Sequence, residues 1–442
     1  MNSVCGSQRP LLFSQKEVMP AMKIVHPICC GMDIHKKLIV ATIARTGPDG
    51  VTTYSQRQFS TMHPDLVRLR DWLVSENCPV ACMESTGKYW IPIWSVLEEK
   101  VTLTLAHPKY TKAIRGKKTD SKDSKWIADL FKHDLVPSSF IPPAPIRAMR
   151  EIFRYRYKLV CVRTGEKNRI QNSMTVSSIR IDNVVSDPFG KSARSLMDAI
   201  LGSGGDFDPK ACGLYLEKGL KKKEKEIRES LEGMDLRDEQ SVKMQLAYGH
   251  LDYLDSMIGR TIDALDLLAK PHEAIIASLM TIPGMSRISA IGIISEIGTD
   301  MDAFADAEHL ASWARLTPAC NESANKKKSV RISKAGTIIK PLLVQVANAA
   351  VRCKDEPYYA VKYERLKRRR GHKKAIIAIA RMILVACYHM VRNGETFDPT
   401  DIDRKTKCPK YVKASVRSPE EMVEFLTGMG YKVEAPVQSA IC

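Results

Sequence analysis

No CxxC pair, HxH pair or HExxH cluster occurs in this chain, which leaves it without the ligand spacing of a zinc finger or a zinc hydrolase. Its 12 cysteines are scattered rather than framed, so free thiols in a reducing compartment are expected, and with them a cytoplasmic location. No apolar run is read as long enough to span a membrane. The opening MNSVCGSQRPLLFSQKEVMP has no proper apolar core or cleavage site, so residues 1–25 read as a disordered leader and not a secretory signal.

Positive charge is what the chain has in excess. Lys and Arg number 68 against 50 Asp and Glu, a formal net charge of +18. Polyanions are therefore the leading partner class, because each neutralised phosphate releases condensed counterions. A membrane surface is the weaker alternative, since no strongly amphipathic basic helix stands alone at either end. At 442 residues the chain exceeds one compact core.

From about residue 26 to 139 the pattern runs strand, strand, strand, helix, strand, helix, strand. CCGMDI and KKLIVATIAR read as a hairpin, VTTYSQRQFST as a third strand, PVACMES as a short buried strand and VTLTLAHP as another. That order predicts an α/β unit with a mixed sheet. The proline-rich SSFIPPAPI marks a boundary. Beyond it, a long helix carries Arg147, Arg150, Arg154, Arg163, Lys167 and Arg169 with few acids, which reads as a nucleic-acid contact. Residues 218–268 are charged and helical, with Leu231, Leu246, Leu251, Leu254, Ile258 and Ile262 as an apolar seam. Two readings stay open for it, a coiled coil joining copies of the chain or a helix packed on its own chain.

Four acids stand at informative places. Asp33 and Glu84 each end an apolar strand, where α/β sheets put ligand groups. Asp120 and Asp123 open a helical stretch, three apart and so on one side of it. Folded together, they would hold hard divalent cations through oxygen, and two ions about 4 Å apart would activate one oxygen and stabilise another. The plain alternative makes Asp120 and Asp123 first-turn acids favoured by the helix dipole. Lys36, Lys117, Lys118 and Lys122 surround the acids and would draw phosphate toward them.

The third region, from about residue 271, contains two apolar helices about the turn Ile282–Pro283–Gly284–Met285–Ser286. It is similar to a helix–hairpin–helix turn, with the Gly284 backbone offered to a phosphate, although Ser286 replaces the usual second glycine. The loop CNESANKKKSVRISK places Ser323 among Lys326, Lys327, Lys328, Arg331 and Lys334. Such a serine is a poor nucleophile unless a base, metal or cationic pocket activates it. Arg368, Arg369 and Arg370 form a further basic run.

Taken in order, GMDIHKK, CMESTGKYW, KTDSKDSKWIADL, the IPGM turn and LTPACNESANKKKSVRISKAG resemble the DEDD-type transposases of the IS one-ten family, relatives of the Piv invertase understood as bridge-RNA-guided recombinases. The resemblance implies an N-terminal RuvC-like (ribonuclease H-like) domain over residues 26–172. It implies a helical coiled-coil linker over 173–270, a mainly helical transposase domain over 271–395, and a tail over 396–442. It also implies a magnesium-binding tetrad on Asp33, Glu84, Asp120 and Asp123, and a serine on Ser323 that becomes joined to DNA. Donor and target DNA, a guide RNA and a homo-oligomer of two to four protomers are the implied partners. Ala324 and Asn325 follow Ser323 where the family usually has glycine, and Glu322 stands where many members have a second serine. The rival readings are a structure-selective nuclease, a protein-only DNA invertase and a non-catalytic nucleic-acid-binding relic.

Overall fold

The computed structural model describes residues 22–84, 87–111, 120–204, 206–318, 321–323, 326–329 and 336–399. For Lys109, Tyr110, Asp120, Ser121 and the strands at 321–323 and 326–329, only the backbone is described. The chain divides into two units, Met1–Ile141 and Pro142–Cys442.

The first unit is built on five strands: β1 (Ile28–Ile34), β2 (Leu38–Thr46), β3 (Thr52–Ser60), β4 (Val80–Glu84) and β5 (Thr102–Ala106). Their order in the sheet is β3-β2-β1-β4-β5, with β1, β2 and β3 antiparallel and β4 and β5 parallel to β1. The alternation expected from the sequence thus folds as a mixed sheet. Helices α1 (His63–Ser75), α2 (Trp90–Leu97), α3 (Pro108–Thr111) and α4 (Asp120–Lys132) complete it.

Strand parity divides two cores. Cys30, Met32 and Ile34 of β1, Ile39, Ala41 and Ile43 of β2, and Ala81 and Met83 of β4 pack with Leu66, Leu69, Trp72 and Leu73 of α1 and with Ile93 and Leu97 of α2. On the opposite face, Cys29, Ala44, Cys82 and Ala106 meet Ile127, Ala128 and Phe131 of α4. A central strand buried on both faces reads as a continuous apolar run, as β1 does.

Gly31 sets how close α4 comes. A Cβ at that position would lie 2.3 Å from the Ala128 nitrogen and 2.4 Å from the Ser124 carbonyl oxygen, both backbone atoms. Only glycine admits a helix at that distance. The Cys29 thiol, two residues toward the start of β1, donates to the Ala128 carbonyl at 3.6 Å. Helix α4 therefore runs antiparallel to β1, and its first turn lies over the strand's C-terminal end.

The second unit is helical. Helices α5 (Ala144–Val176), α6 (Lys191–Gly202), α7 (Lys218–Lys221), α8 (Glu224–Glu229) and α9 (Asp238–Ala269) lead to α10 (Glu273–Leu279), α11 (Arg287–Ile297) and α12 (Ala307–Trp313). A small hairpin follows, β6 (Asn321–Ser323) paired with β7 (Lys326–Ser329), then α13 (Ile339–Ala350), α14 (Tyr358–Arg370) and α15 (His372–Asn393). The boundary before Pro142 puts all of α5 in this unit, whereas the sequence reading divided that helix at 172/173.

Helices α5 and α9 pack along each other. Met244, Leu251, Ile258 and Leu265 are buried seven residues apart, as are Ala247, Leu254 and Thr261. The seam is thus a heptad pattern satisfied within one chain. Two expected seam positions depart from it: Leu246 is 70% exposed, and Leu231 is buried outside α9. The stretch before α9 is no simple spacer. Leu196, Met197, Ile200, Cys212, Ile227 and Leu231 form a core with the end of α5 and the start of α9.

Helix α15 is long and apolar enough to cross a membrane, contrary to the expectation from sequence. Half of that apolar stretch is buried, and the helix packs against α10, α12, α13 and α14. The described cysteines are all free, as expected. Cys29, Cys78 and Cys82 are pushed up to about 12, chiefly by burial, which makes them packing groups rather than reactive ones.

Candidate active site

The parallel register of β1 and β4 pairs Cys30 with Ala81, Gly31 with Cys82 and Met32 with Met83. One step further brings Asp33 beside Glu84 on neighbouring strands. Asp33 shares parity with Cys29 and Gly31, and Glu84 with Cys82, so both carboxylates belong to the face that α4 covers. From Gly31, two strand residues advance about 6.6 Å, the length of roughly four to five helical residues. That step carries Asp33 to the level of the first turn of α4. Asp123 lies four residues before Ile127, and Asp120 four before Ser124, on the helix side that meets the sheet.

Asp33 and Glu84 each contact a neighbouring side chain. Asp33 is 8% exposed, and an oxygen lies 3.3 Å from Nε2 of His35. Glu84 Oε2 accepts a 2.7 Å hydrogen bond from Oγ1 of Thr111, a buried threonine at the end of α3. Just behind Asp123, Ser124 is fully buried, and its Oγ lies 2.8 Å from Oγ1 of Thr42 on β2. Gln56 of β3, in register with Thr42, donates from Nε2 to both hydroxyls, at 2.7 and 3.1 Å. This triad pins the start of α4 to the sheet. Leaving one of its buried hydroxyls unpaired costs about 1–3 kcal/mol.

The donor set is oxygen throughout, which suits a hard divalent cation. Among the described residues, no three Asp, Glu, His or Cys side chains stand close enough to hold an ion together. The side chain of Asp120, the fourth acid of the set, lies outside those described. What the described acids supply is oxygen donors on the face that α4 covers.

The basic residues divide differently from the sequence reading. Lys36 and Lys122 are exposed beside the acids, whereas Lys117 and Lys118 lie outside the described residues. Arg150 and Arg154, read from sequence as nucleic-acid contacts, are tied to α11, although the Arg154 side chain stays 44% exposed. Arg150 donates to the backbone carbonyls of Ser295 (2.9 Å) and Glu296 (2.7 Å), capping the C-terminal end of α11. Arg154 grips the Glu296 carboxylate with both arms, at 2.7 and 2.8 Å. Burial, with Arg154 and Arg147 nearby, pushes Arg150 down to about 10 although Glu296 opposes the shift.

Farther along α5, Arg163 pairs with Asp255 at 2.6 Å and Arg169 with Glu166 at 2.5 Å. Lys167 lies over the Phe189 ring at 4.7 Å, and Arg147 donates to the Pro142 carbonyl at 3.1 Å. The arginine-rich helix is therefore bound into its own unit. By contrast Arg368, Arg369 and Arg370 are exposed in the last turn of α14. His372, Lys373 and Lys374 then open α15, which has no acid in its first turn.

The Gly284 turn joins α10 to α11 with φ +77°, and a Cβ there would lie 2.4 Å from the Ala350 nitrogen. Its glycine thus answers to packing against the end of α13. The neighbouring Arg287 is tied to Asp266 and Glu273, which leaves acids beside the place where a phosphate was expected. Ser323 is the last residue of β6, paired in register with Lys326 across the hairpin. What the sequence presents as a loop is a strand pair carrying Lys326, Lys327 and Lys328 on β7. The side chains of this hairpin, and the whole of Arg331 and Lys334, lie outside those described.

Thr111, Thr42, Gln56 and Ser124 went unnoticed in the sequence. Nothing marks them there except the glycine two places before Asp33, which signals a close backbone neighbour.

A mixed sheet in this order, with Asp33 one residue before the end of its first strand and Glu84 ending its fourth, is of the RuvC-like (ribonuclease H-like) class, whose enzymes generally use divalent metal ions. A transposase family model of the DEDD, IS110 type matches residues 30–178, and the transposase IS116/IS110/IS902 family model matches residues 276–363. The chain belongs to the IS110 family of transposases and is a DNA transposase/recombinase. The crystal structure of Fowlpox virus resolvase with substrate Holliday junction DNA is similar over 24% of this chain and 72% of its own, at 15% identity and a TM-score of 0.17. That likeness is too slight to carry weight. No curated protein matches the chain.

Proposed function

We propose that this transposase cuts and rejoins DNA with a magnesium-binding tetrad of Asp33, Glu84, Asp120 and Asp123 and with Ser323 as nucleophile. The carrying observation is the strand register that sets Asp33 beside Glu84 on the face beneath the first turn of α4. Magnesium, when bound, would polarise the scissile phosphate. The chain's own part is to present oxygen ligands from two strand ends and a helix, and to deliver a hydroxyl. The Ser323 Oγ–P bond forms as the P–O bond to one sugar breaks, and the serine proton ends on the departing sugar oxygen. The phosphoserine link keeps the bond energy for rejoining.

Phosphate contacts fall to Lys36, Lys117, Lys118 and Lys122 near the acids, to Lys326, Lys327, Lys328, Arg331 and Lys334 around the serine, and to Arg368, Arg369 and Arg370. The last group is best supported, because Arg368, Arg369 and Arg370 are exposed and run directly into Lys373 and Lys374 at the start of α15, whose charges oppose that helix's dipole and favour a bound anion. Guide RNA and an assembly of two to four protomers complete the proposal. In such a complex base pairing reads sequence, while the protein reads shape and charge.

Incubation with element-end DNA, followed by a denaturing gel, tests the serine. Wild-type protein traps a covalent protein–DNA adduct, and Ser323→Ala does not. An adduct that persists in that variant removes Ser323 from the role. Sequencing of co-purified RNA tests guidance, with random fragments as the contrary result.

A further inference from the structure

We infer that Thr111 is the positioning residue for Glu84, fixing one carboxylate oxygen so that the other is presented toward Asp33 and the first turn of α4. The inference rests on the proposed metal role of Glu84. A glutamate at a strand end has three side-chain torsions to settle, and a ligand left to rotate loses affinity to its own entropy. Glu84 borders open connections, because β4 ends with it. What restrains it is the 2.7 Å hydrogen bond from Thr111 Oγ1 to Oε2.

Thr111 is itself well held for this work. It is 4% exposed and closes α3, the short helix that follows β5. Glu84 pairs in register with Ala106 of β5, so the chain leaves that strand and brings Thr111 back onto its neighbour within five residues. The Glu84 carboxylate is the nearer of the hydroxyl's two acceptors, at 2.7 Å against 3.4 Å to the Pro108 carbonyl, and a charged acceptor makes the stronger bond, so donor and carboxylate fix one another. Hydrogen-bonding partners of this kind around a metal ligand typically govern 10- to 100-fold in affinity.

The experiment uses the full chain and manganese(II) alone as probe, with binding read from loss of the free-ion electron paramagnetic resonance signal. Thr111→Val keeps the shape of the side chain and deletes the donor, and Thr111→Ser keeps the donor. The expected result is a dissociation constant raised about 10- to 100-fold in Thr111→Val and restored to near wild type in Thr111→Ser. Thr111→Ala gives the same weakening if the valine variant fails to fold.

Wild-type affinity in Thr111→Val, or equal weakening in Thr111→Ser, overturns the inference. Glu84→Gln separates the two levels. If it leaves manganese binding unchanged, the metal role of Glu84 is wrong. If it abolishes binding while Thr111→Val does nothing, only the role of Thr111 is wrong.

Discussion

The sheet unit and the helical unit use charge in opposite ways. In the first, acids stand at or next to the ends of strands, and polar residues such as Thr111 and His35 contact them. In the second, arginines along α5 are paired with carbonyls and carboxylates of the same unit, several of them with side chains still part-exposed. An ionic side chain therefore points to function only once its partner is known. A rich basic helix can be scaffold, and a lone acid after a buried strand can be the site.

The strongest way to break this comparison is to remove an acid from the sheet. Asp33→Asn is expected to lower strand transfer by on the order of 10³-fold or more while DNA binding is unchanged, as checked by a gel transfer assay beside a filter-binding curve. Unchanged transfer would reduce Asp33 to a capping group. Next in size is Gly31→Ala. Its new methyl meets three backbone atoms of α4, which costs about 3 kcal/mol. Hydrogen exchange of the α4 amides should accelerate accordingly, and transfer should fall with it.

Arg154→Met probes the other unit. It strands the Glu296 carboxylate, 2% exposed, and should destabilise the packing of α5 on α11 by about 2–3 kcal/mol in a urea titration. The salt dependence of DNA binding should stay the same, whereas a reduced slope would return Arg154 to the nucleic-acid surface.

The smallest effect is a pH dependence at Glu166. Burial works against its charge, but hydrogen bonds from Arg169 and His250 outweigh it and hold the carboxyl below its usual range. A lowered folded value means the contribution is present above the unfolded value near 4.5 and is lost as pH falls through the folded one. Thermal unfolding of Glu166→Gln should lack this acid-side decline, and an identical profile would show that the cluster is idle.

Much of the sheet unit was legible because strands announce themselves locally. Alternation, length and turn residues gave all five strands, and the two strand-end acids followed from them. Parity then did the rest, since Asp33 and Gly31 must share a face. Arg150 and Arg154 were illegible for the converse reason. Their partner Glu296 lies 142 residues from Arg154, and no local pattern reveals an acid that far away. The heptad of α9 could be read from spacing, but not whether its other half was another protomer or α5. The hairpin carrying Ser323 was missed because three residues on one strand and four on the other are too short to show a period.

The α5–α9 pair also limits how this protein can be rebuilt. Its longer member has 33 residues, a rod of about 50 Å, whose two sides mesh once per seven residues. One inserted residue would rotate everything downstream by about 100° and throw the mesh out of phase. Removing seven from each side would shorten the rod by about 10 Å and leave the mesh intact. Its span is therefore adjustable only in whole notches, like the teeth of a ratchet.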